Sequence, residues 1–171
     1  ADMDRHYYHD HFLTLARHPS ETDERMMMRL LAFVRYADAA LTFGKGLADV
    51  EEPDLWRKDL TGAIDLWLEV GQPDARRILK ACGRAAQVVV LGYGSQSALW
   101  WAQVGPKLAR AKNLTVWSVP VVTTQALASL AQRSMQLQCS IEDGLIWLRS
   151  EDQAVQIELT TLMGAANSTA R

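Results

Sequence analysis

Residues 63–74 read AIDLWLEVGQPD, and this stretch decides how the rest of the chain is interpreted. The pattern predicts a strand over about 63–71, in which the two acids and Trp67 alternate onto one face and aliphatic residues onto the other. Gly71 and the Gln-Pro pair end the strand, and Asp74 is a suitable N-cap for a following helix. A buried strand carries two carboxylates on one face only where something offsets their desolvation. Asp65 and Glu69 are therefore candidate functional residues.

The sequence upstream of this strand predicts an amphipathic helix. HPSETDER (18–25) supplies Ser20 as the expected N-cap and acids for the first turn, where the helix dipole favours them. Apolar residues then recur with helical spacing as far as Ala37. The residues expected on the solvent side of this helix are Arg25, Met28 and Arg29.

The remaining pattern predicts one α/β domain over residues 1–171, with a mixed sheet flanked by helices. Period-two alternation around the turn signal Asp143-Gly144 predicts a C-terminal antiparallel meander of three strands. The last residues, 164–171, are expected to form a frayed end. The other expected elements are a strand at 41–46, a short helix near 53–59, a buried strand at 87–94, one or two helices over 95–111, a buried strand at 113–119, and a helix at 123–133 capped by Thr124.

Composition places the chain among ordinary soluble globular proteins, with 49% hydrophobic and 22% charged residues. The net charge of −2 means that any contact with nucleic acid depends on a local basic patch. No apolar run approaches the roughly 18 residues of a membrane span, so we expect no membrane partner and a bacterial-type cytoplasmic location. The two cysteines, Cys82 and Cys139, are expected to be reduced and buried.

The helix predicted after Asp74 carries a stripe of cations. Arg76, Lys80 and Arg84 follow one another at intervals of four residues, with Arg77 beside them. Like charges at this spacing repel by a few tenths of a kcal/mol, so an all-basic face indicates a ligand or a partner. Acids on a neighbouring strand with cations beside them are typical of a phosphodiester site that holds a divalent metal. The alternative is that the acids pair with these cations or with Lys45.

Two further motifs leave alternatives open. Glu24 lies at the edge of the apolar face of the first helix and could reach toward Glu69, or it could be an acid stabilised by the helix dipole. Residues 92–97, GYGSQS, resemble a dinucleotide-binding fingerprint that lacks its third glycine, and the next strand ends without an acid to hold a ribose. A tight turn from strand to helix is the favoured interpretation of that motif.

Several motifs resemble the YaeQ family of bacterial proteins over nearly the entire chain. They are ARHPSETDERMM with RLLAF (16–33), LTFGKGL (41–47), EEPDLW (51–56), IDLWLEVGQPD (64–74) and IEDGLIWL (141–148). That family is similar in fold to the PD-(D/E)XK nucleases, in a variant form. The resemblance therefore implies a restriction-endonuclease-like fold.

The resemblance also implies a site. In the nuclease superfamily a helix Glu, a strand Asp and a Glu-x-Lys strand end gather around Mg²⁺ or Mn²⁺, which gives Glu24, Asp65 and Glu69 as metal ligands. Those two strand acids lie about 13 Å apart along one strand, too far to share one ion directly. The position of the motif lysine is Gly71. The implied catalytic residues are Glu24, Asp65, Glu69 and Gln72, and the implied phosphate-binding residues are Lys45, Arg76, Arg77, Lys80 and Arg84.

Two functional hypotheses follow. The first is a divalent-metal-dependent nuclease-like protein that hydrolyses phosphodiesters in DNA or RNA. The second is a catalytically inactive nuclease-like fold that serves as a binding or regulatory module for a nucleic acid or a protein partner. The missing motif lysine favours the second hypothesis, because that cation steadies the charged transition state.

Overall fold

The computed structural model of the protein describes residues 1–164, so the predicted frayed end lies, apart from Gly164, outside the described residues. Two sheets and four helices make up the fold. The helices are α1 (Asp23–Tyr36), α2 (Ala75–Arg84), α3 (Ser97–Leu108) and α4 (Val121–Ala128). The strands are β1 (Leu41–Phe43), β2 (Leu55–Lys58), β3 (Ile64–Val70), β4 (Ala85–Tyr93), β5 (Leu114–Val119), β6 (Gln138–Glu142), β7 (Leu145–Arg149), β8 (Ala154–Glu158) and β9 (Thr160–Met163).

The main sheet is mixed and has the strand order β1-β2-β3-β4-β5-β9. Strands β3, β4 and β5 are parallel and central, β2 and β9 flank them in antiparallel orientation, and β1 pairs antiparallel with β2. The second sheet is the antiparallel meander β6-β7-β8. The mixed α/β sheet and the meander confirm the sequence prediction. The return of the chain as β9 to the edge of β5 was not predicted, since the pairing partner lies about 45 residues upstream.

The main sheet is covered on both faces, and strand alternation assigns its side chains to two cores. Leu66 and Leu68 of β3 face α1, α4 and the meander. Trp67, on the opposite face, packs with residues of α2 and α3. Helices α2 and α3, which connect β3 to β4 and β4 to β5, therefore lie on the same face of the sheet. Right-handed β-α-β connections require this when successive parallel strands are added on the same side of the sheet. The carboxyl ends of β3 and β4 are left between the two helical layers.

Helix α1 is more buried than its pattern predicted. Its N-cap is Thr22, whose hydroxyl accepts from the amide of Arg25, so the assignment of Ser20 as N-cap is wrong. Met28 is fully buried and Arg29 is only 5% exposed, so their predicted solvent positions are also wrong. The N-terminal segment explains this, because it packs over the outer side of α1 and its Ala16 carbonyl accepts from Arg29.

Two other local predictions differ from the structure, and a third, which left one or two helices open, is decided in favour of one. The region near 53–59 is strand β2, not a helix, because its register places Trp56 opposite Trp67 of β3 and buries Leu55 completely. Helix α4 begins after Pro120, and Thr124 lies inside it with its hydroxyl donating to the Val121 carbonyl. The segment 95–111 forms the single helix α3, with Pro106 inside its last turn.

Two predictions from composition also have structural counterparts. Both cysteines are free thiols and half-buried, and burial raises the pKa of the Cys139 thiol to about 11. Among residues 1–164, no helix is long and apolar enough to cross a membrane.

Candidate functional site

A cleft of about 660 Å³ opens where β3 and β4 end. It lies between the N-terminal end of α1, the turn before α2 and the turn before α3. Two acids and two arginines line it together with apolar and backbone surface. The lining residues are Arg25, Gly46, Leu47, Val50, Asp54, Glu69, Val70, Gly71, Gln72, Pro73, Arg77, Tyr93, Gly94, Ser95 and Gln96.

Glu69 is the acid on the α2 side of the cleft, and it is 4% exposed. Arg77 of α2 approaches it with Nε at 2.7 Å and Nη2 at 2.6 Å from Oε1. The indole N–H of Trp67 also donates to this oxygen, at 3.1 Å. Burial raises the pKa of Glu69 above its ordinary value, and the hydrogen bond and charge of Arg77 only partly oppose that effect. A buried carboxyl with a raised pKa in a cleft is a common mark of a functional site.

Asp54 is the acid on the α1 side, and it is 3% exposed. Its Oδ2 accepts from the Val70 amide at 2.9 Å, which ties the segment before β2 to the end of β3. Its Oδ1 accepts from Arg25 at 2.7 Å. The sequence interpretation missed this residue because a short helix was expected near 53–59. An Asp in such a helix would not be expected to contact the end of a strand.

Arg25 bridges Asp54 and Glu21. Its Nη1 lies 2.7 Å from one Glu21 oxygen, and Arg29 donates to the other oxygen of the same carboxylate at 2.5 Å. Burial alone lowers the pKa of Arg25, but the two carboxylates outweigh this effect and raise it above its usual range. Glu21 was also missed by sequence reasoning. The spacing of four residues between Glu21 and Arg25 was a signal for this ion pair, although Glu21 directly precedes the N-cap Thr22 and lies outside the helix.

The structure places two of the predicted metal ligands away from this network. Glu24 and Asp65 are half-buried, do not line the cleft, and make no side-chain hydrogen bond or ion pair within the described part of the chain. The ion pairs beside Glu69 are made instead by Asp54, which lines the cleft, and by Glu21, which shares Arg25 with it. Glu69 alone of the three predicted acids lies in the cleft.

A divalent metal does not fit the donor set as it is arranged here. No group of three or more His, Cys, Asp or Glu side chains among residues 1–164 is placed to hold a metal ion. Both oxygens of Asp54 and one oxygen of Glu69 already accept hydrogen bonds from arginine, indole or backbone donors. Of the three acids that the resemblance gives as metal ligands, Glu24 and Asp65 do not line the cleft that Glu69 lines.

The backbone explains the glycine at the position of the motif lysine. Gly71 has φ +105°, a left-handed conformation that is strained for any residue with a side chain, and its amide donates to Leu91. Gln72 follows it and donates from Nε2 to the Tyr93 carbonyl at 2.9 Å, so it joins the ends of β3 and β4. We infer from this geometry that a lysine at 71 would distort the turn.

The predicted phosphate-binding cations are largely engaged by the chain itself. Arg77 donates to the Val50 and Glu52 carbonyls as well as to Glu69. Lys80 lies 3.5 Å from the Glu51 carboxylate, and Arg84 donates to the Glu51 carbonyl. These acceptors belong to residues 49–52, which we call the 49–52 loop. Lys45 is 4.0 Å from Glu52, and Arg76 is exposed at the start of α2. The alternative in which the strand acids pair with these cations therefore describes Glu69 and Arg77, whereas Lys80 and Lys45 contact Glu51 and Glu52 instead.

Packing accounts for the glycines of GYGSQS. A Cβ at Gly92 would lie 3.1 Å from the Trp100 ring and 3.4 Å from Ser97 Oγ, so the glycine lets α3 pack closely against β4. Gly94 has φ +99° in the turn that follows. These observations agree with the tight-turn interpretation, and the dinucleotide interpretation gains no support from them.

The raised pKa of Glu69 predicts how stability depends on pH. The folded state holds the Glu69 proton more tightly than the unfolded state, whose carboxyl titrates near 4.5, so stability falls as pH rises through the range just above 4.5. Urea unfolding from pH 4 to 7 should therefore show wild type losing stability relative to Glu69→Gln. A wild-type advantage that grows with pH would show instead that the Arg77 ion pair outweighs desolvation.

Fold and site together define the class: an α/β protein with a central parallel sheet extended by antiparallel strands, whose strand-end cleft holds arginine-paired acids. The chain belongs to the YaeQ family, because the YaeQ protein family model matches residues 1–159. It is 47% identical over 161 residues to the uncharacterized protein YaeQ of Salmonella typhi, covering 94% of this chain and 89% of that protein. The Escherichia coli K12 protein of the same name is 46% identical with the same coverage.

Solved YaeQ structures have the same fold. The crystal structure of the YaeQ protein from Xanthomonas axonopodis pv. citri superposes with a TM-score of 0.92 at 46% identity, covering 96% of this chain and 93% of that one. The YaeQ protein from Pseudomonas syringae gives a TM-score of 0.92 at 37% identity, with 95% and 90% coverage. The family resemblance recognised in the sequence is confirmed.

Proposed function

We propose that the protein is a catalytically inactive variant of the PD-(D/E)XK nuclease fold that serves as a nucleic-acid-binding module. The observation that carries the proposal is the pairing of every buried acid at the cleft with arginine. Arg25 lies between Glu21 and Asp54, and Arg77 holds Glu69. A nuclease of this fold keeps such acids available for a metal, whereas here guanidinium groups take up the negative charge.

The fold part of the proposal is supported by the order and placement of the acids. Glu21 directly precedes the N-cap of the first helix, Asp54 lies in the segment before β2, and Glu69 lies near the end of β3. The nuclease superfamily uses a helix acid, a strand Asp and a strand-end Glu in that order. Glu21 and Asp54 therefore match this superfamily pattern better than Glu24 and Asp65 do.

Electrostatics supports the inactive form. Two like unit charges about 4 Å apart repel by about 4 kcal/mol at an effective dielectric constant near 20. The repulsion between a dication and a guanidinium at the same distance is about twice as large. A metal would also need carboxylate oxygens that Arg25 and Arg77 now occupy. Gly71 supplies no cation in place of the motif lysine, and its positive φ disfavours regaining one.

The test measures hydrolysis, metal binding and ligand binding on the same preparation. Labelled DNA and RNA oligonucleotides are incubated with wild type and with Glu69→Gln in Mg²⁺, Mn²⁺ or EDTA. For DNA and for RNA alike, we expect equal background cleavage in all six combinations of protein and ionic condition. We also expect no Mn²⁺-dependent rise in Tm, and oligonucleotide binding that persists in EDTA.

The opposite result would support the second candidate, a metal-dependent nuclease. Cleavage that requires Mn²⁺ or Mg²⁺ and disappears in Glu69→Gln would overturn the inactive assignment. The specific observation in favour of this candidate is Glu69 itself, a buried cleft carboxyl with a raised pKa. Absence of binding to any oligonucleotide would instead overturn the binding module.

A further inference from the structure

The charges of this chain are segregated along the sequence. Between Asp74 and Glu142 it contains eight Lys or Arg residues and no Asp or Glu. The protein as a whole carries a net charge of −2, so the rest of the chain is strongly acidic. A mixed surface of a soluble protein would intersperse both signs. The eight cations are Arg76, Arg77, Lys80, Arg84, Lys107, Arg110, Lys112 and Arg133.

The fold brings most of these cations to one side of the molecule. Helices α2 and α3 pack side by side on the same face of the main sheet. Arg76 and Lys107 line one groove of about 520 Å³ between them, together with Leu79, Ala75 and Asp74, whose carboxylate accepts from the Arg77 amide as the N-cap of α2. Arg110 and Lys112, both exposed, follow the C-terminal end of α3. We call the outer surface of these helices and of residues 109–112 the α2–α3 face.

We propose that the α2–α3 face docks the phosphodiester backbone of a nucleic acid, and that Glu51 of the 49–52 loop occupies part of that surface as an internal competitor. This rests on the proposed binding function and names the surface that performs it. Arg76, Lys80 and Arg84 stand about 6 Å apart along one line of α2, which suits contact with successive charges of a polyanion.

The contacts of Glu51 are those of a displaceable group. Its carboxylate lies 3.5 Å from Lys80 and 3.9 Å from Arg84, and its side chain is 62% exposed. Exposed ion pairs of this kind contribute little to stability. A polyanion that contacts several of these cations in succession gains more than Glu51 does, so a nucleic acid displaces Glu51 while Arg77 keeps its contacts with the loop backbone.

The chemistry of the face favours a nucleic acid over an acidic protein or a membrane. Protein interfaces depend on buried aromatic or apolar anchors, and the large apolar side chains exposed on these two helices are Leu79 and Leu99. Membrane docking by a helix requires a free apolar face, but the apolar face of α2 is buried against the sheet. Rows of cations without anchors are sufficient for backbone binding.

Fluorescence anisotropy with labelled single-stranded and duplex 20-mers tests the proposal at several salt concentrations. Arg76→Ala with Lys107→Ala should raise Kd by roughly tenfold and reduce the salt slope by about two contacts, since each lost phosphate contact lowers it by about one. Arg133→Ala with Arg149→Ala, which removes the same charge away from the α2–α3 face, should change Kd less than twofold. Glu51→Gln should lower Kd several-fold.

The outcomes separate the inference from the proposed function. Equal effects of the two double variants, or no gain in Glu51→Gln, would overturn the α2–α3 face while leaving a binding module in place. No binding by wild type would overturn both. Binding to anionic vesicles or polyglutamate as tight as to the 20-mers, at equal salt, would also overturn the nucleic-acid assignment.

Discussion

Glu21→Gln is expected to lower the free energy of unfolding by about 3–5 kcal/mol, the usual cost of removing one partner from a buried ion pair. Glu21 holds both Arg25 and Arg29, and its side chain is 2% exposed. Arg29 would lose its only ion pair within the described residues while staying buried. Urea unfolding followed by tryptophan fluorescence measures the change.

Glu24→Gln is the matched control for this prediction. It makes the same chemical change three residues further on, at a side chain without hydrogen bonds or ion pairs in the described part of the chain. We expect it to lower the free energy of unfolding by less than about 0.5 kcal/mol. Equal losses in both variants would show that the network of Glu21 contributes nothing beyond a general effect of acids at the start of α1.

Asp54→Asn is expected to lower the free energy of unfolding by about 3 kcal/mol, toward the smaller end of that range because Arg25 keeps Glu21. The amide can still accept from the Val70 N–H, but its NH₂ group turns a donor toward Arg25. The same variant should raise the hydrogen exchange rate of the Val70 amide, because the bond that ties β3 to the segment before β2 is weakened.

Asp65→Asn provides the comparison. Asp65 is the strand acid that sequence reasoning favoured, yet it lies outside the cleft, and its side chain makes no hydrogen bond or ion pair with the described residues. We expect a loss below about 0.5 kcal/mol and unchanged exchange at Val70. A larger loss from Asp65→Asn than from Asp54→Asn would contradict the network described for the cleft.

The contacts that the cations of α2 make within the protein separate a structural role from a ligand-binding role. Arg77 has structural contacts with Glu69 and with two carbonyls of the 49–52 loop, so it holds the cleft wall in place. Arg76 and Lys107, which lie outward, are better suited to an external ligand. The sequence pattern grouped these cations together, but the fold gives Arg77 an internal role and leaves Arg76 open to an external ligand.

The sequence by itself determined the class of fold and one member of the site. Hydrophobic period and turn chemistry are local, so β3, the Asp74 cap, the buried strand β4 and the meander could all be predicted. Glu69 was recognisable because a carboxylate within a buried strand requires compensation wherever the strand lies.

The tertiary structure alone decided which acids and cations meet. Asp54 reaches the end of β3 because β2 pairs with that strand, and Glu21 is buried where Arg25 and Arg29 of α1 meet the N-terminal segment. Such contacts join residues from different elements, and helical or strand periodicity carries no information about them. For the same reason Arg29 was expected in solvent, although its charge is buried against Glu21.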